Sequence, residues 1–291
     1  GTPIAQPREN GIRIPNLHKL DDMIVKARAF EDDPENYARQ RATMMGGDVL
    51  QEIIGSLGGA RPKINARDND GSLWIAKLPK RNDDYSVERV EVMTLKLARM
   101  VNISASEARI INTERNLPVS IIKRFDRIAQ NGKAPTRIPY ISAQTFLGLR
   151  GTEPGSYDEI ANQIRSHGST PGKDIPELYR RLMFSVLIRN TDDHLRNHGF
   201  LRAKSGWRLS KAFDVNPSPT HGARLQTSIS EIHGNMPSLE AVIDASELFD
   251  IAPTEAEIMA GRMATTIQDN WHQIAHEVGM TQRDKSVVSH I

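Results

Sequence analysis

Apolar residues recur at helical spacing over residues 86–101, where Val90, Met93, Leu97 and the Met100/Val101 pair share one face. The pattern predicts an amphipathic helix packed on one side. Before it, the run Leu73-Trp74-Ile75-Ala76-Lys77-Leu78 follows the turn signal Asp68-Asn69-Asp70-Gly71 and predicts a strand. A second strand is predicted at Ser120-Ile121-Ile122-Lys123, running into Arg124-Phe125-Asp126-Arg127. Residues 128–136 are polar, contain Gly and Pro, and read as a connection. Beyond them the pattern is mostly helical. Residues 175–190 carry Leu178, Leu182, Met183, Val186 and Leu187 on so broad a face that the helix must be deeply packed. Phe200-Leu201-Arg202 and Trp207-Arg208-Leu209, joined by Lys204-Ser205-Gly206, predict a hairpin that delivers Phe213-Asp214 at its far end. Two or three further helices are expected over residues 238–283. Residues 1–16 read as a polar, Pro-containing arm, and residues 17–54 alternate helical signals with an acidic turn.

Composition narrows the chemistry by exclusion. The sequence has no cysteine, which removes disulfides, zinc-thiolate sites, iron–sulfur clusters and thiol nucleophiles, and fits a cytoplasmic protein. With 38 basic and 36 acidic residues, the near-balanced charge does not point to nucleic acid as a direct partner. No apolar run is long enough for a membrane span, and the first residues lack the pattern of a signal peptide.

The polar residues that interrupt the apolar pattern carry the chemistry. Asp192 and Asn197 lie five residues apart in a loop after the buried helix, with His194 between them, and Asp214 follows after the hairpin. Phosphoryl transfer needs such a set. One carboxylate orients or deprotonates the attacking hydroxyl, while an amide oxygen and a second carboxylate hold magnesium on the phosphates. In the first half, Lys77 sits in a strand where its ammonium could neutralise phosphates. Glu91 on the next helix could pair with it, and the glycine-rich residues 55–63 precede that strand, where a phosphate-covering loop belongs. The order of parts is that of a protein kinase.

The blocks Ser56-Leu57-Gly58-Gly59-Ala60-Arg61-Pro62-Lys63, Ile75-Ala76-Lys77-Leu78-Pro79, Arg124-Phe125-Asp126-Arg127, Asn190-Thr191-Asp192-Asp193-His194-Leu195-Arg196-Asn197-His198 and Leu209-Ser210-Lys211-Ala212-Phe213-Asp214-Val215 resemble the signature segments of HipA-like serine/threonine kinase toxins. The resemblance implies an α+β, bilobal protein-kinase-like fold. An N-terminal arm and helices would span residues 1–50, a small β-rich ATP-binding lobe residues 51–130, and a larger, mostly helical lobe residues 131–291. It implies Asp192 as catalytic base, Asn197 and Asp214 as magnesium ligands, and Lys77, supported by Glu91, as a ligand of the ATP phosphates. The backbone of Lys123, Arg124 and Phe125 would form the adenine hinge, and His194 would support the loop or the phosphates. Gly58 and Gly59 would belong to the phosphate loop, and Ser56 would be the autophosphorylated serine. About two added negative charges there would repel the nucleotide.

The implied partners are a protein substrate, such as an aminoacyl-tRNA synthetase or another translation component, and a helix-turn-helix antitoxin through which any DNA contact would run. Relatives of this kind carry a small extra N-terminal subdomain that this sequence does not show, so a separate protein could supply it or the chain could be part of a longer one. Pro62 also departs from a phosphate loop's needs, since proline lacks an amide donor.

Plainer readings exist for each residue alone. Asp192 could be a turn residue, Lys77 a solvated strand end, and Ser56 ordinary loop chemistry; Glu88, one turn before Glu91, competes with it. The i,i+4 pairs His194/His198 and His272/His276 could bind zinc on a helix, but the first straddles a loop, where helical spacing need not apply, and the second has no evident third ligand. Three functions compete with the protein kinase: a small-molecule kinase, a non-catalytic pseudokinase within a repressor complex, and a metal-dependent hydrolase built on residues 192–198.

Overall fold

The computed structural model describes Leu17, Leu20, Asp21, Ile24, Val25 and residues 61–130, 133–220 and 222–291; the side chains of residues 129, 130, 133 and 134 are not described. Ser56, Gly58 and Gly59 lie outside these residues.

Strands β1 (Lys63–Arg67) and β2 (Leu73–Lys77) form a hairpin across the Asp68–Gly71 turn. With β3 (Ala108–Asn112) and β4 (Pro118–Lys123) they make an antiparallel sheet of order β1-β2-β4-β3. Alternation sorts its side chains. Ile64, Ala66, Trp74, Ala76, Val119 and Ile121 pack on one face with Leu17, Leu20 and Ile24. Lys77 and its cross-strand partner Ser120 stand on the other. That face meets helix α1 (Val87–Met100), whose Val90, Met93 and Leu97 are fully buried. Each such side chain contributes roughly 1.5–3 kcal/mol by leaving water. Ser86 caps the start of α1 by accepting from Arg89 N at 3.2 Å. At the other end Asn102 turns the chain in the left-handed region, φ 61°, and Ile103 N donates back to Ala98 O at 2.9 Å.

The expected connection over residues 128–136 is instead a hairpin, β5 (Arg127–Gln130) with β6 (Lys133–Arg137). Its polar sequence lacks the apolar alternation of a core strand. Its pairing is carried by backbone bonds at the surface, where Ile128 is exposed.

The helical part comprises α2 (Ala143–Phe146), α3 (Tyr157–His167), α4 (Pro171–Leu187), α5 (Leu239–Asp244), α6 (Pro253–Glu277) and α7 (Gln282–Val287), with a 3-10 turn at Ala245–Phe249. Helix α4 starts earlier than its apolar stripe suggests. Pro171 serves as a first-turn residue, where no amide donor is required, and Pro176 is accommodated inside the helix. Ile175, Leu178, Tyr179, Leu182 and Met183 are all essentially inaccessible, so α4 is the axis of the main core. The predicted hairpin is present as β8 (Gly199–Ala203) and β9 (Gly206–Leu209), and β7 (Tyr140–Ser142) adds to it as a third strand. Among the described residues no helix is long and apolar enough to cross a membrane.

Candidate active site

The chain leaves α4 through a tight turn. Arg189 takes φ 54°, and Asn190 N donates to Ser185 O at 2.7 Å. Short turns follow, with His194 N donating to Asp192 O and Asn197 N to His194 O. The adjacent aspartates have opposite surroundings. Asp193 is buried and accepts from Tyr157 Oη and, at 2.9 Å, from Ser185 Oγ; His198 Nε2 lies 3.1 Å from its second oxygen. Burial would raise this carboxyl, but His198 and the hydrogen bonds outweigh it and hold it below the ordinary value. Asp193 thus anchors the turn from within. Asp192 points outward, and its Oδ1 accepts from Gln226 Nε2 at 2.7 Å. Asn197 donates its amide nitrogen to Asp192 O at 3.3 Å, which leaves the amide oxygen for another partner.

The β8–β9 hairpin brings Asp214 to the same place. The chain before it is pinned by Ala212 N to Ser104 O and Ser106 N to Ala212 O, and the chain after it by Thr94 Oγ1 to Val215 O. Asp214 itself is left-handed, φ 57°, a costly conformation for a non-glycine residue that such pinning can maintain.

From the sheet side, Lys77 reaches Glu91 Oε1 at 2.5 Å and Asp214 Oδ1 at 2.7 Å. Burial alone would strip its proton, but Glu91 and Asp214 prevail and raise its pKa above the ordinary lysine value. Burial also works against Asp214 as an anion; Lys77 and Lys63 outweigh it and hold the carboxyl low. Lys63, directly opposite Lys77 in the β1–β2 register, adds a second cation whose own pKa is lowered by burial and by Lys77.

Lys77, Glu91, Asp192, His194, Asn197 and Asp214 line one cleft of about 680 Å³. A smaller apolar slot of about 310 Å³ adjoins it, bordered by Ile75, Ile122, Phe125, Tyr140 and Phe213, and shares Lys77 and Asp214 with it. Phe125 packs beside Tyr140 and Phe213, with ring centres 6.0 and 5.6 Å away. Lys123 borders the slot at the end of β4, while its ammonium turns aside to Glu107 at 3.3 Å. The slot has the size and character for a planar base, and the cleft has cations and oxygen donors for a polyphosphate and its metal. The donor set fits magnesium: a carboxylate at Asp214 and a free amide oxygen at Asn197 are hard oxygen ligands. Another cleft, of about 690 Å³ near Met100 and Ile258, contains none of these residues.

Among the residues not singled out as site residues from the sequence are Lys63 and Arg61, which line the cleft, and Gln226, which touches Asp192. The Asp68–Gly71 turn could have revealed Lys63, because it sets the register opposite Lys77. Arg61 and Gln226 depend on distant contacts. Arg61 pairs with Asp83 at 2.6 Å and with Glu88 Oε1 at 3.0 Å.

Glu88, in the first turn of α1, is as inaccessible as Glu91. Burial pushes its carboxyl up to about 7; Arg61 opposes this, while Asp83 and Glu91 add to it. The folded chain therefore binds a proton that the unfolded chain, near the ordinary 4.5, has already lost. The resulting stabilisation is fully present below that ordinary value and is lost as pH rises through about 7. Glu88→Gln is expected to flatten this dependence. Thermal unfolding between about pH 5 and about pH 8 should show the variant gaining on the parent as pH rises. Parallel curves would mean that Glu88 is not protonated in the folded chain.

Comparison with known proteins agrees with this fold. Over 192 residues the chain is 30% identical to a Sinorhizobium fredii protein named "Putative kinase Y4dM", covering 55% of this chain and 44% of that one. The HipA chain of the Shewanella oneidensis HipA, HipB and operator DNA complex superposes with a TM-score of 0.64 at 17% identity, over 81% of this chain and 62% of that chain. The chain thus spans less than two thirds of the length of either protein. Helicobacter pylori CtkA, described as a proinflammatory kinase, gives a TM-score of 0.49 at 16% identity over 78% of this chain and 96% of its own. The HipA-like C-terminal domain matches residues 55–271, most of the 291 residues and every described side chain of the cleft, so the chain belongs to the HipA-like family.

Proposed function

We propose that this chain is an ATP- and magnesium-dependent phosphotransferase that moves the γ-phosphoryl group to a serine or threonine hydroxyl of a protein. The observation that carries the reading is Lys77 bridging Glu91 and Asp214 in the cleft that also holds Asp192 and Asn197. The slot beside Phe125 would take the adenine, and Lys77 and Lys63 would neutralise the phosphates. Asn197 and Asp214 would hold magnesium, which would supply charge neutralisation on the phosphates. Asp192 accepts a hydrogen bond from the acceptor hydroxyl and aims its oxygen at the γ-phosphorus. The new O–P bond forms as the bond to the bridging oxygen breaks. ADP leaves, and the hydroxyl proton passes to Asp192.

Ser56 is the internal acceptor in this reading. The association of the Shewanella HipA with HipB and operator DNA supports an antitoxin as the restraining partner.

The test supplies γ-labelled ATP and magnesium, offers protein and small-molecule hydroxyl acceptors, and locates the label by mass spectrometry. Label on serine or threonine, Ser56 included, is the expected result. Label on small molecules alone would replace the protein-kinase reading. Absence of both transfer and ATP binding, with Ser56 verified as unmodified, would leave a pseudokinase.

A further inference from the structure

Gln226 touches the proposed base and has no part in the chemistry described above. Its Nε2 donates to Asp192 Oδ1 at 2.7 Å, and its backbone N donates to Thr191 O at 3.1 Å, so one residue grips both the carboxylate and the loop that carries it. The grip comes from a fixed part of the fold. Leu225 and Thr227 on either side are buried, although Gln226 itself is exposed. Leu225 N donates to Asn235 O at 2.8 Å and Ser228 N to Gly155 O at 3.0 Å, and Ser228 O accepts from Tyr157 N at 2.9 Å at the start of α3. That start also carries Tyr157 Oη, which donates to Asp193. The two aspartates are therefore held by elements joined at Ser228 and Tyr157.

We infer that Gln226 is a positioning residue for the transfer reaction: its amide occupies Asp192 Oδ1 and fixes the carboxylate rotamer, so that the second oxygen serves the acceptor hydroxyl. This rests on the phosphotransferase reading. Among the described residues the second oxygen has no hydrogen-bond partner, whereas Oδ1 has this one. A mobile plug would occupy the same place only transiently, but the backbone bonds on both sides of Gln226 argue for a permanent strut. The geometry also predicts a charge rule. An amide donor suits a carboxylate, while an isosteric carboxylate at position 226 would repel it.

Two variants of similar size separate positioning from packing. Gln226→Met keeps the length and loses the donor; Gln226→Glu keeps the shape and reverses the polarity. Both are expected to lower the kcat for Mg-ATP turnover about tenfold or more, Gln226→Glu further than Gln226→Met, with the KM for Mg-ATP unchanged. Equal kcat in Gln226→Met and parent, or a loss confined to KM, would overturn the inference. A second measurement is independent of activity. The Gln226 side-chain amide signal in a nitrogen-15 spectrum, identified by its disappearance in Gln226→Met, should shift in Asp192→Ala, which removes the acceptor oxygen. An unmoved signal would show that the amide does not bind Asp192, even if the parent proved active. A moved signal in a chain without transfer would retain the contact and sink the kinase reading alone.

Discussion

Asp192→Asn is expected to slow phosphoryl transfer by about 10²–10⁴-fold, the usual contribution of a positioned general base, with little change in Mg-ATP affinity. Asparagine keeps the volume, and its amide oxygen can still accept from Gln226, so the loop should hold its place. What it loses is the anionic oxygen that receives the hydroxyl proton. The neighbouring carboxylate provides the contrast. Asp193 is buried beneath Tyr157, Ser185 and His198, and Asp193→Asn should lower stability by about 1–3 kcal/mol through mispaired buried groups. Single-turnover rates, ATP titration and urea unfolding of the two variants separate the roles. Full transfer by Asp192→Asn would remove Asp192 as the base.

Glu91→Ala should destabilise the fold by about 3–5 kcal/mol, because it breaks a buried pair and leaves its partner behind. Lys77 is 7% exposed and would keep only Asp214, whose carboxylate is also the proposed metal ligand. The expected cost is therefore double: lower stability in urea and weaker Mg-ATP binding. The joint variant Lys77→Met with Glu91→Leu removes both charges and restores apolar volume. It should recover much of the lost stability, since a hydrophobic replacement of a buried pair is often neutral or better. It should not recover nucleotide binding. A joint variant that binds Mg-ATP as tightly as the parent would show that Lys77 is a structural ion pair and no phosphate ligand.

The sequence by itself determined the regular elements with strong local signals. Strand β2 follows from the Asp68–Gly71 turn and the apolar run after it, α1 from its apolar face, and the β8–β9 hairpin from its central turn. It also marked Lys77, Glu91, Asp192, Asn197 and Asp214 as polar residues at the ends or buried faces of those elements, and their order pointed to the family. The weaker signals failed where local pattern and tertiary environment part. The β5–β6 hairpin has no apolar alternation, and α4 begins at prolines that the fold accommodates.

The resemblance pointed to Asp192, and the tertiary structure supplied the reason that its neighbour Asp193 faces inward instead: its contacts with Tyr157, Ser185 and His198. Only the tertiary structure decided that Lys77 meets Asp214 across 137 positions, that Arg61 meets Glu88, and that Gln226 grips Asp192. Residue spacing encodes contacts within a helix or hairpin. Contacts between distant segments depend on how whole elements pack, and their hydrophobic faces, rather than the polar residues they carry, settle that packing.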